Sequence, residues 1–425
     1  MTIDAAVFNG EYSGPILRVH PGDVMRIKFI NHLSRPANIH YHGLETSPLD
    51  NGDNIHISVK PGETFNYEIK IEKTQAPGIY WYHDHTHGIS EKNVMDGLSG
   101  TLIVEGFSEQ FPALAGIKEQ ILVLKDYEFP SSKDPYIVKY LHRVAQSING
   151  QALVNIKMQP GETQLWRLTN QSANRIFHVA LQGHKFRVIA NDGRTALQET
   201  VQDTLDIVPA GRVEVLVDAG AAGNYDLMTK KVFTDDSSDL SADRIQGKII
   251  VSGEPKQTIS TITSFAKNED LSTRKIDEHR TIVFSQLNDD QNFFVNGRKY
   301  NNDRIDIRVP LGNTEEWTIR NDSDDFHVFH IHQVHFQITE IDGKKIPFNG
   351  YVDNANISSR SVVKLIIPFT DPVIVGKFVL HCHVLRHEDH GMMAHIEVYD
   401  PDINGAFPFY KSGRSLCTAP EKNPT

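Results

Sequence analysis

Residues 17–44 read LRVHPGDVMRIKFINHLSRPANIHYHGL: two short alternating strands around a Pro-Gly turn, an Asn, a polar loop, then a third strand. The pattern returns twice. Residues 156–184 read IKMQPGETQLWRLTNQSANRIFHVALQGH, and residues 307–336 read IRVPLGNTEEWTIRNDSDDFHVFHIHQVHF. Each copy has a Gly in its turn, and Asn31, Asn170 and Asn321 close the second strands. Each is followed by a strand opened by Gly: GIYWYHDH (78–85), GNYDLMTK (223–230) and GKFVLHCH (376–383). Each then closes on an apolar strand: GTLIVEG (100–106), GKIIVSG (247–253) and MAHIEVYD (393–400). Self-similarity of this kind marks repeated structural units. Short period-two runs between Gly, Pro, Asn and Asp turns, with no long helical period, specify β-sandwiches.

The expected fold is therefore all-β, with three consecutive sandwich domains at 1–110, 111–255 and 278–402 and a polar tail at 403–425. The second boundary falls in the polar stretch 252–280. Copies two and three are preceded by an extra strand, QILVLKDYEF (120–129) and RTIVFSQLN (280–288). Copy one begins almost at the NGEYSGP turn (9–15), so a further strand is expected upstream.

Composition narrows the function. The chain of 425 residues is 23% charged and 39% hydrophobic, an ordinary globular balance. A net charge of −11 opposes binding to nucleic acid or anionic membrane. No apolar run is long enough to span a bilayer. The start MTIDAAVFNG shows no signal peptide. The two cysteines, Cys382 and Cys417, say little about redox compartment. Oligomeric state leaves no signal.

Histidine is the outlier, at 21 residues. Ten fall in four clusters: His40 and His42; His83 and His85; His327, His330 and His332; His381, His383 and His387. The first two lie on strands of copy one and the last two on the equivalent strands of copy three. Copy two has FHVALQGH and YDLMTK there and has lost the pattern. One H-x-H pair on a strand is usually incidental. Four pairs that converge if copies one and three face each other would repel when protonated, and they suit copper or zinc rather than magnesium or calcium. A second set, His327, Cys382, His387 and Met392, has the two-His, one-Cys, axial-Met composition of a blue-copper site. The C-x₂₋₄-C spacing of structural zinc sites is missing.

These motifs, H-x-H-G, H-x-H, H-x-x-H-x-H and H-C-H-x₃-H-x₄-M, resemble those of the multicopper oxidase family over nearly the whole chain. The resemblance implies cupredoxin-like Greek-key sandwiches and four copper ions. It gives the type 1 copper His327, Cys382, His387 and Met392. It gives the type 2 copper His40 and His330. The type 3 pair takes His42, His83, His85, His332, His381 and His383. It further implies one-electron oxidation of a small reducing substrate and reduction of dioxygen to water. Glu388 and Asp53, with Asp50 as second choice, are the expected proton-handling acids; the bland alternative is a solvated loop carboxylate or an anchor for imidazole N–H groups. Asp84 is expected to face away, and His87, His335, His390 and His395 match no ligand position. Phenols of the laccase type are the expected substrates, because the chain lacks the Met-rich insert of cuprous-oxidising relatives. The alternatives are a cuprous or ferrous metallo-oxidase, drawing on acidic loops such as FTDDSSD (233–239), and a bilirubin oxidase-like enzyme. A copper-free scaffold ranks lower because no ligand is missing, and a copper nitrite reductase because that class has two domains. A periplasmic or secreted location is expected, with the cytoplasm as the alternative.

Overall fold

The computed structural model describes residues 5–128, 144–231, 243–263, 265, 268–287 and 291–402. The stretch 233–239 and Cys417 lie outside them.

The repeated Asn shows how one local sequence yields the same unit three times. Asn31 Nδ2 donates to the carbonyls of Arg35 (2.8 Å) and Val59 (2.7 Å), and its Oδ1 accepts from Leu33 N (2.8 Å). Asn170 donates to Arg175 O (2.7 Å) and Ile207 O (2.8 Å) and accepts from Ser172 N (3.0 Å). Asn321 donates to Asp325 O (2.7 Å) and Ile357 O (3.1 Å) and accepts from Ser323 N (2.9 Å). All three are buried. One amide thus closes the polar loop as an Asx turn and ties it to a distant strand or loop.

The chain forms three sandwiches in which the alternating apolar residues make one core each. Tyr41, Tyr67 and Tyr80 anchor the first, Trp166, Phe177 and Phe186 the second, and Phe284, Trp317 and Phe329 the third. The first pairs a four-stranded sheet (Leu17–Val19, Ser99–Val104, Gly78–His83, His40–His42) with a two-stranded one (Val24–Ile30, Thr64–Lys70). The second and third each pair a six-stranded sheet with a five-stranded one. Their extra strands, Lys118–Glu128 and Glu278–Gln286, run parallel to Thr163–Asn170 and Thr314–Asn321. Among the described residues nothing flanks Val24–Ile30 in this way, and Val24 and Ile30 stay exposed.

Short helices were not signalled by periodicity, because Ser90–Asp96 and Leu385–Asp389 are too brief to show it. They do much to join the domains. Asp389, from the third domain, accepts from Ser90 N (3.0 Å) and Glu91 N (2.8 Å) at the start of the first-domain helix. The second domain adds Ala173 O to Leu385 N (3.0 Å) and Asn174 Oδ1 to Arg386 N (3.1 Å). Val94, Ala173 and Leu385, one from each domain, pack into a small core where the three meet. Among the described residues no helix is long and apolar enough to cross a membrane.

Candidate metal centre

Period-two alternation aims the site. In the first domain His40–His42 pairs antiparallel with Gly78–His83, putting His40 opposite His83. In the third, His327–Ile331 pairs with Gly376–Cys382, putting His330 opposite His381 and Phe329 opposite Cys382. Cys382 therefore leaves its strand on one face, and His381 and His383 leave on the other.

The two domains bring eight buried imidazoles together. His40 stacks on His332 (centroids 3.8 Å apart, 15° between planes) and His42 on His330 (3.9 Å, 15°). His381 Nε2 lies 3.3 Å from His85 Nε2 and 3.1 Å from His332 Nε2. His83 and His383 complete the group, with centroids 5.3 Å apart. On the other face, Cys382 Sγ is 3.6 Å from Nδ1 of both His327 and His387, and those two nitrogens are 3.1 Å apart. Met392 is fully buried beside them; its N donates to His387 O (2.9 Å) and its O accepts from Cys382 N (3.0 Å).

The rings are oriented from behind. His40 Nδ1 donates to Asp53, 3.0 Å from either oxygen. His42 Nε2 faces Asp353 Oδ1 (3.3 Å), His83 Nδ1 the carbonyl of Asp84 (2.9 Å), and His330 Nδ1 the carbonyl of Asp353 (2.7 Å). His327 Nε2 meets Ser323 Oγ (2.8 Å). With one nitrogen so engaged, the other points inward. His40 Nε2, His42 Nδ1, His83 Nε2, His330 Nε2 and both nitrogens of His383 are buried without a partner. An unsatisfied buried polar atom costs about 1–3 kcal/mol, so this many would strain a whole domain's stability unless something binds them. The electrostatics agree. Burial, reinforced by neighbouring imidazoles, lowers His40, His42, His330, His332 and His383 well below the usual histidine value, and burial brings His83 and His327 to about 3. Neutral imidazoles are metal ligands. Burial pushes the Cys382 thiol up to about 12, so a thiolate there requires a metal cation. Imidazole nitrogens, one sulfur and a buried thioether suit copper.

The acids divide by environment. Asp53 is buried against His40, also accepts from Tyr41 N (3.0 Å) and Gln333 Nε2 (2.9 Å), and is raised by burial to about 7. Asp50 is instead exposed at the preceding turn, with φ of 49°, and the structure places it away from the imidazoles. Glu388 is fully buried behind the cluster, Oε2 3.1 Å from His381 Nδ1 and Oε1 3.5 Å from His85 Nδ1. Burial pushes its carboxyl up, and His85 and His381 more than reverse this and hold it down. Its neighbour Asp389 is pushed up by burial and by the Glu388 charge. Asp84 faces away and accepts from Asn38 N, Thr86 N, Thr86 Oγ1 and Asn93 Nδ2, at 2.8–3.0 Å. His335 and His395 are buried outside the ligand sets; His87 is exposed and His390 half-buried. Sequence reasoning missed Asp353, Gln333 and Ser323, which hold ligand rings or their anchors.

The H-x-H-G glycine has a spatial cause. Gly43 has φ of 87°, and a Cβ there would lie 2.6 Å from Arg212 Nη2 and 2.7 Å from Asp353 Oδ2. Only glycine fits both constraints.

Sandwiches one and three clasping a buried imidazole cluster, with a Cys-His-His set on the reverse face, define a protein built to hold several transition-metal ions. Multicopper oxidase sequence models match residues 2–109, 115–254 and 273–402. The chain belongs to the multicopper oxidase family. It is 29% identical over 406 residues to the multicopper oxidase mco of Staphylococcus haemolyticus, covering 92% of this chain and 83% of that one. Among solved structures it resembles a metallo-oxidase, the multicopper oxidase of Campylobacter jejuni (27% identity, TM-score 0.80, 92% and 86% of the two chains). It also resembles a laccase-like multicopper oxidase from Ochrobactrum sp. with oxidase activity towards lignin model compounds (26%, TM-score 0.77, 93% and 92%).

Proposed function

We propose that this multicopper oxidase is of the laccase type: it takes single electrons from phenols or similar small reductants and reduces dioxygen to water. Four coppers are assigned, one to His327, Cys382, His387 and Met392 and three to the eight-histidine cluster. Bound there, copper supplies the redox chemistry, accepting electrons one at a time and delivering four to dioxygen.

The protein's own groups do the rest. His387 is the carrying observation. It is 8% exposed, whereas His327, Cys382 and Met392 are sealed, so a reductant reaches the Cys-His-His set at the His387 edge. Phe293 stacks on that ring (4.3 Å, 19°) and fixes its plane. A cleft of about 390 Å³ is lined by His87, Lys299 and Tyr300 and by Asp389, His390 and Gly391, which follow His387 closely in the chain; its polar lining suits a small hydrogen-bonding reductant. Cys382 is joined by a peptide bond to both His381 and His383, the shortest covalent link between the two ligand sets. Glu388 holds its carboxyl against His85 and His381, where protons are consumed as water forms. Asp53 keeps His40 in one tautomer and orientation.

The metallo-oxidase reading draws on the resemblance to the Campylobacter jejuni enzyme. Turnover of a phenol, Cu(I) and Fe(II) under air decides between them. Phenol oxidation is expected to dominate; turnover of metal ions alone would overturn the laccase reading. A periplasmic or secreted site of action is proposed with it, to be checked by fractionating producing cells.

A further inference from the structure

The middle domain supplies no ligand, yet one of its side chains reaches the back of the cluster. Arg212 is fully buried. Its Nη1 and Nη2 clamp Asp353 Oδ1 (2.7 Å) and Oδ2 (2.5 Å), and Nη1 also donates to Ala210 O (3.0 Å). Asp192, also from the middle domain, accepts from the backbone N–H of Arg212 (3.0 Å) and of Asp353 and Asn354 (both 3.3 Å). Asp353 in turn faces two ligand rings that stack on each other, His42 through its carboxylate and His330 through its carbonyl. One strand-leading residue of the third domain thus orients a ring from each outer domain, and the middle domain fixes that residue at both backbone and side chain.

We infer that Arg212 is a positioning residue for the copper cluster: its bidentate clamp on Asp353 sets which nitrogens of His42 and His330 face the metal, so seating of the copper-free middle domain completes the site. A planar fork matched to a carboxylate fixes direction in a way a lysine ammonium does not. The claim needs copper in the cluster and is indifferent to the choice of reductant.

The test is Arg212→Lys, which keeps the charge and removes the fork. Copper per chain, copper affinity by chelator competition and the type 2 electron paramagnetic resonance signal are measured against the unaltered protein. Loss of an orienting partner behind a metal ligand typically costs about 10–100-fold in metal affinity. That loss is expected for the cluster, with an altered type 2 signal, while the blue band of the Cys382 set persists. Arg167→Lys is the control. Arg167 is another buried middle-domain arginine, and its ion pairs go to Glu119 and Glu214 rather than to a ligand or a ligand's anchor, so its variant should lose thermal stability but keep the native copper signals. Should Arg212→Lys fail to fold, Asp353→Asn carries the same expected loss of cluster copper; its effect centres on His42, a ligand of the type 3 pair, and is read in the near-ultraviolet absorption of that pair. Native copper content, affinity and type 2 signal in a folded Arg212→Lys protein, or native copper content, affinity and near-ultraviolet absorption in a folded Asp353→Asn protein, overturn the inference, as does an equal spectroscopic change in Arg167→Lys. A native chain that binds no copper overturns both this inference and the copper assignment.

Discussion

The two faces of strand Gly376–Cys382 serve sites of opposite construction. On one face His327, Cys382, His387 and Met392 all come from one domain, and the neighbours that fix them, Ser323 and Phe293, come from the same domain. On the other, eight histidines come from two domains, and the groups behind them from all three. The first set is drawn wholly from one sandwich, and only the short helix that carries His387 leans on the other two domains. The second exists only when the chain has closed on itself, so its geometry depends on every contact that holds the domains in place.

The most severe way to probe that contrast is Cys382→Ser. Blue colour and steady-state oxidation should vanish, while the near-ultraviolet absorption and copper content of the cluster persist. Loss of cluster copper as well would show that the two sites are not independent. Glu388→Gln strikes the cluster alone. Reoxidation of reduced enzyme by dioxygen, followed by stopped flow, should slow by about 10²–10⁴-fold, the usual share of a positioned acid, with the blue band unchanged. A normal rate would remove Glu388 from proton supply.

Acid should separate the sites from the rest of the fold in the copper-free protein. The ligand imidazoles are lowered in the folded state, His83 and His327 to about 3 and His85 to about 4, from an ordinary 6.5. Below 6.5 the unfolded chain therefore binds more protons than the folded one. Their contribution is intact above 6.5 and is lost as pH falls towards 3, at up to about 1.4 kcal/mol per imidazole per pH unit. Raised carboxyls such as Asp53 slope the other way between 3.8 and about 7 but are fewer. Denaturant titrations of copper-free protein from pH 7 to pH 4 should show a net loss of several kcal/mol; flat stability would mean that the imidazoles are hydrated. The mildest probe is Asn174→Ala, which removes middle-domain bonds to Arg386 N and Glu91. About 1 kcal/mol of stability should go, with the blue band unshifted. A shifted band would tie even the single-domain site to domain closure.

The same division explains what could be read from the sequence. Strands, the triple repeat and the histidine pairs are local and periodic, so they stand out in the one-dimensional text. The anchors do not. Asp353 sits in YVDNANI and Arg212 at the head of the alternating strand RVEVLVD, where nothing in the pattern singles out either residue. Their meaning lies in a pairing across two domains. Asp53 and Asp50 differ only in where a turn places them: the left-handed backbone at Asp50 leaves it in solvent, and the chain then delivers Asp53 to His40. The brief helix carrying Glu388 was invisible because five residues show no amphipathic face.

Gly43 carries one last consequence. As part of H-x-H-G it looks like punctuation after a ligand pair, a local turn preference. Its missing side chain is also a mould of the Arg212–Asp353 clamp pressed against it from two other domains. A mutant library that randomises this position therefore samples the fit between distant parts of the chain, and a side chain tolerated there would have to come with a rearranged clamp. The single hydrogen at position 43 is a long-range record, written into a short motif, of how the chain closes.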